Sequence, residues 1–99
     1  MRVEFRNDDL RRLFEEESFR LSAVGPDLTK AYRKRVQMVL SASDERDLSA
    51  LRSNHFEKLK GDREGQHSLK LNDQWRLIVE IEPGIEGKKV VVVEIVDYH

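Results

Sequence analysis

The stretch "HSLKLNDQWRLIVEI" (His67–Ile81) decides the fold. Apolar and polar residues alternate from His67 to Leu71, stop at Asn72 and Asp73, and alternate again from Gln74 to Ile81. Two strands joined by a tight turn are the consequence, because Asn and Asp accept the left-handed backbone such turns use. Alternation puts Trp75, Leu77, Val79 and Ile81 on one face of the second strand and Arg76, Ile78 and Glu80 on the other. Trp75 reads as core, and Arg76 as a cation leaving the opposite side for solvent.

Outward from this hairpin, "PGIEG" (Pro83–Gly87) turns the chain again and "KKVVVVEIVD" (Lys88–Asp97) forms a last strand. That strand is too apolar for a sheet edge, so an interior position is expected. Towards the start, "VEF" (Val3–Phe5) is a short first strand. Asn7 and Asp8 can cap a helix from about Asp9 to Phe19 with Leu10, Leu13 and Phe14 on one face. Pro26 or Asp27 opens a second helix to about Ser41, in which Leu28, Ala31, Tyr32, Val36, Val39 and Leu40 follow a period of 3.6. A further helical turn is expected at "SDERDL" (Ser43–Leu48). Between Leu51 and Gly65 the pattern is lost, and a long loop is predicted. The fold class is therefore α+β: an N-terminal strand and two helices packed on one face of an antiparallel sheet completed by a C-terminal three-stranded meander.

The chain has 99 residues, which suits a single domain spanning 1–99. It has no cysteine, so disulfides, thiolate metal sites and cysteine nucleophiles are excluded together. The start lacks an apolar signal core and no stretch is long and apolar enough to cross a bilayer, so a cytoplasmic protein without a membrane partner is expected. Charged residues make up 37% of the chain yet the net charge is −1, so any nucleic-acid site must be local. "EEE" (Glu15–Glu17) and "KAYRKR" (Lys30–Arg35) read as solvated helix faces.

Histidines stand at 55, 67 and 99, a spacing that fits no zinc motif. No glycine-rich phosphate loop opens a helix and no nucleophile elbow is present. Neither metal nor cofactor is expected. What remains is a polar group that the meander would gather at one end of the sheet: Asp97, Tyr98 and His99 from the last strand, Arg76 from the strand before it, and Lys60 and Arg63 from the preceding loop. Cations beside titratable groups suit chemistry on a phosphodiester.

"LKGDREGQHSLKLNDQWRL" (Leu59–Leu77) and "VEIVDYH" (Val93–His99), approached through "DLSALRSNHFEKLKG" (Asp47–Gly61), strongly resemble the HigB toxins of bacterial type II toxin–antitoxin systems, within the RelE/ParE superfamily. The resemblance implies a RelE-like fold and a metal-free, ribosome-dependent mRNA endonuclease that inhibits translation. It implies as partners the ribosome and mRNA, a HigA-like helix-turn-helix antitoxin, and operator DNA only through the antitoxin complex. Residue by residue, it places catalysis on Lys60, Arg76, Asp97, Tyr98 and His99; Lys58, Arg63 and Lys70 are expected to be RNA-binding cations. Within this resemblance, Arg76 and Lys60 would hold phosphate charge, Asp97 or His99 would move protons, and Tyr98 would stack on or position a base. Where some family members carry a site histidine, this chain has Glu57, with His55 two positions away. The alternatives in the same superfamily are a ParE-like toxin that binds DNA gyrase without catalysis, and a degenerate member acting mainly in a repressor complex with its antitoxin.

Overall fold

The computed structural model describes residues 1–85 and 87–97. Its elements are β1 (Arg2–Phe5), α1 (Asp8–Glu15), α2 (Pro26–Ser41), α3 (Glu45–Ala50), β2 (Glu57–Lys58), β3 (Gln66–Lys70), β4 (Trp75–Gly84) and β5 (Gly87–Asp97), with 3₁₀ turns at Arg52–Asn54 and Gly61–Arg63. The strands form one sheet in the order β1-β5-β4-β3-β2. β5 is interior, as its composition demands. The sheet is mixed, because β1 runs parallel to β5 while the other neighbours are antiparallel.

The helices cover one face. Leu10, Leu13, Leu28, Tyr32, Val36, Val39 and Leu48 join Leu69, Leu77, Val79, Val90 and Val92 in one buried cluster. A bulge makes this possible. Ile78 pairs with Glu94 but Val79 pairs with Val92, so Val93 is an extra residue that resets the alternation of β5. Val90, Val92 and Ile95 then all face the helices, while Val91 and Glu94 face away.

Helix α1 begins where expected, with Asn7 accepting from the Leu10 amide at 2.9 Å. It ends at Glu15 rather than Phe19. The three glutamates at 15–17 oppose the negative end of the helix dipole, and the freed carbonyls go to Arg33 of α2. Its Nε donates to Leu13 O at 2.7 Å and its Nη2 to Glu16 O at 3.0 Å and Glu17 O at 3.1 Å. Arg35 likewise donates to the buried Asn54 side chain, which itself donates to Leu48 O at 2.9 Å. The basic run at 30–35 is therefore not simply a solvated face: two of its cations cap and cross-link the fold. Leu40, expected on the apolar stripe, is 39% exposed.

The predicted loop from 51 to 65 is partly built. β2 pairs with β3 through Glu57↔Ser68 and Lys58↔His67, a strand too short for alternation to reveal. Gly61 and Gly65, at φ +66° and +89°, supply the left-handed corners of the turn that brings the chain back into β3.

Tyr32 ties the helices together: its hydroxyl, fully buried, donates to Leu10 O at 2.7 Å, and burial pushes its pKa well above the ordinary phenol value. Tyr32→Phe is expected to cost about 1 kcal/mol, the net value of one buried hydrogen bond. For a domain of this size that lowers the melting temperature by roughly 4–8 °C, read by thermal denaturation.

Candidate functional site

The face of the sheet away from the helices holds the candidate site. Alternation in β4 sends Arg76, Ile78 and Glu80 to this side, and their ladder partners follow: Lys70, Ser68 and Gln66 on β3, and Val96, Glu94 and Val91 on β5. Glu57 joins them through its pairing with Ser68. Its centre is buried, Ile78 being only 2% exposed and Ser68 1%. The Ser68 hydroxyl oxygen is buried without a hydrogen-bond partner.

Arg76 departs from expectation in one respect. It leaves the sheet on the predicted side, but it is 8% exposed rather than solvated. Its Nη1 donates to the carbonyl of His55 at 3.3 Å. His55 is the one described non-glycine residue at positive φ, 42°, a strained conformation held from behind by the neighbouring Asn54 and its bonds to Arg35 and Leu48. The guanidinium is thus anchored through backbone whose position α2 fixes. Asn54 was not singled out by sequence reasoning, because a buried amide in a charged loop has no pattern of its own.

The other predicted residues divide by place. Lys70 lies directly opposite Arg76 and pairs with Asp73 at 3.2 Å. Arg63 lies on the same face, bonded to Gln66 and Glu94. Lys58 pairs in register with His67, on the opposite face from Arg76. It lines, with exposed Lys60, a concavity of about 400 Å³ completed by Leu59, Gly61 and Glu64. Asp97 is opposite Trp75, so the pleat directs it to the side of Trp75 rather than that of Arg76, and Gln74 Nε2 donates to it at 3.1 Å. Arg76 and Asp97 are therefore brought to the same end of the sheet but not to the same face. Tyr98 and His99 lie outside the described residues. Among the described residues no group of His, Asp and Glu is arranged to hold a metal ion.

Residues 3–99 match the model of the HigB-like toxin family, the RelE-like toxin of the type II toxin–antitoxin system HigB. The chain belongs to this family. It is a type II toxin of the HigB/RelE group, and a cognate antitoxin is its implied partner. No curated protein matches it. Among solved structures it is similar to a YoeB/ParE toxin from Agrobacterium tumefaciens, with a TM-score of 0.57, 13% identity and 100% of each chain covered. At that identity the likeness is one of fold: the strand, helices and five-stranded sheet described above are RelE/YoeB-like. Among the described residues no helix is long and apolar enough to cross a membrane.

His67 bears on how the toxin presents the Lys58–Lys60 rim. Its ring stacks on Phe56, centroids 4.9 Å apart and 4° from parallel, with Nδ1 buried and unpartnered. Burial, helped by the charge of Lys58, lowers its pKa from the ordinary 6.5. As pH falls below 6.5 the unfolded chain takes up this proton first, so the stability contributed by the neutral ring is complete above 6.5 and declines through the window beneath it. The carboxylates held down by partners, Glu16, Asp44 and Glu45, start from 4.5, 3.8 and 4.5 and act lower on the scale. Melting temperature measured against pH should fall below 6.5 in the native toxin, and His67→Phe, which keeps the stack but cannot titrate, should flatten that part of the curve.

Proposed function

We propose that this HigB-family toxin is a metal-free endoribonuclease that cleaves mRNA on the ribosome and so inhibits translation. The observation that carries this reading is Arg76: an arginine on the helix-free face of the sheet, mostly buried yet anchored to a strained backbone carbonyl. A merely structural cation at the surface needs no such support. A charge-stabilising donor does, because it must be fixed before the charge develops.

In the proposed reaction the 2′-hydroxyl of the substrate loses its proton to a base and attacks the adjacent phosphorus. The bond from phosphorus to the 5′-oxygen breaks, and that oxygen takes a proton from an acid, leaving a cyclic phosphate and a 5′-hydroxyl. Arg76 offsets the charge on the non-bridging oxygens, with Lys60 assisting from the rim. Asp97 and His99 supply proton transfer and Tyr98 positions a base, roles that rest on the family resemblance of the terminal "DYH". Because Arg76 and Asp97 leave opposite faces of the ladder, a substrate using both must lie over the end of the sheet. Lys58, Arg63 and Lys70 contribute phosphate contacts, and a net charge of −1 leaves the ribosome to supply the local concentration of message. A HigA-like helix-turn-helix antitoxin neutralises the toxin, and operator DNA is met through that complex.

The test is primer extension on mRNA after brief induction, together with ribosome-dependent cleavage by purified toxin. Native toxin should arrest growth and cut message only with ribosomes; intact mRNA in arrested cells would point to another target. Arg76→Lys retains the charge but loses the planar fork. It should lower the cleavage rate by roughly 10²–10³ while the antitoxin complex still forms. Loss of folding with unchanged turnover per folded molecule would assign Arg76 to structure instead.

A further inference from the structure

Besides Arg76, the helix-free face carries Arg63, Arg6 and Lys89, each paired with a carboxylate of the same chain. Arg63 reaches across β4: its Nη1 donates to Gln66 Oε1 on β3 at 3.0 Å, and its Nη2 to Glu94 Oε1 on β5 at 2.6 Å. Gln66 carries the contact onward, Nε2 donating to Glu80 Oε2 at 2.9 Å, and Glu80 Oε1 accepts from Arg6 Nη2 at 2.7 Å. Lys89 sits between Glu4 at 3.1 Å and Glu82 at 3.7 Å. The face presented to RNA is neutralised from within.

Glu94 is the odd member of this set. It interrupts the apolar run "VVVVEIV" (Val90–Val96), where a β-branched residue would suit the strand better. It lies opposite Ile78 and two residues from Val96, the ladder partner of Arg76. One oxygen of its carboxylate therefore accepts from one Nη of Arg63 beside the Arg76 column, the charge-assisted contact that a phosphate oxygen would make in its place. Both side chains remain wet, at 39% and 45% exposure, so the pair is exchangeable rather than locked.

We propose that Glu94 is an internal competitor for RNA phosphate. It holds Arg63 in the free toxin and gives it up to a phosphate of single-stranded message, so that free RNA binds weakly and message positioned by the ribosome binds productively. This rests on the endonuclease reading above and adds to it a residue that sets discrimination between free and ribosome-held RNA.

The experiment measures binding of a short fluorescent single-stranded RNA, without ribosomes, by anisotropy over a series of salt concentrations. Glu94→Gln preserves shape and removes the charge. It should tighten binding by about three- to tenfold at low salt and steepen the dependence of log K on log salt by about 0.7, the contribution of one additional phosphate contact to a single strand. Arg63→Ala introduced into the Glu94→Gln background should abolish the gain, because the released arginine is what makes the new phosphate contact. Melting curves confirm that each variant is folded. Unchanged affinity and slope in Glu94→Gln would overturn the proposal, and so would a gain that survives Arg63→Ala, which would mark a general charge effect. Native cleavage on ribosomes is measured alongside. Its absence refutes the endonuclease reading, whereas normal cleavage with no Glu94 effect refutes only the role given to Glu94.

Discussion

The antiparallel ladder between β4 and β5 is the constraint on which the rest of the molecule depends. One edge of the sheet, β1, is attached through β5, and the other, β3 with β2, through β4. The same ladder serves two unlike faces. Towards the helices it delivers Leu77, Val79, Val90 and Val92 to the core, and away from them it delivers Arg76, Glu80 and Glu94. The bulge at Val93 is what reconciles these demands. Without the extra residue, strict alternation from Val92 would send Glu94 toward the helices, and an unpaired carboxylate there would carry a large desolvation cost.

Charge on the open face follows from the same arrangement. A strand face with several arginines and lysines would repel itself, and interleaved carboxylates remove that repulsion without the burial penalty that a closed core imposes. Each exposed pair contributes little to stability. Their consequence lies in what the surface can bind, since cations already engaged offer less attraction to a polyanion than a formal count suggests. Arg76 is treated differently, being buried and anchored to the backbone of His55. The face thus separates one fixed cation from several exchangeable ones.

Helix contacts reach the site indirectly. Arg35 of α2 grips Asn54, Asn54 fixes the turn that carries His55, and the His55 carbonyl receives Arg76. A helix packed on the other face of the sheet thereby helps to set the position of this guanidinium.

The sequence by itself determined the element order, the meander, the interior placement of the valine-rich strand and the face from which Arg76 emerges, because each depends on a local period or a turn residue. It also carried the family resemblance, through "KGDR", "NDQWR" and "DYH". The early end of α1, the two-residue β2 and the parallel pairing of β1 were settled only by tertiary structure, since a distant arginine, a neighbouring strand and a crossover each supply the deciding hydrogen bonds. The same holds within the site. Alternation cannot foresee the bulge that turns Glu94 outward, the burial of Arg76, or the separation of Asp97 from it across the sheet. Those features arise from which strands lie side by side and in what register, and register is a property of pairs of segments far apart in the chain.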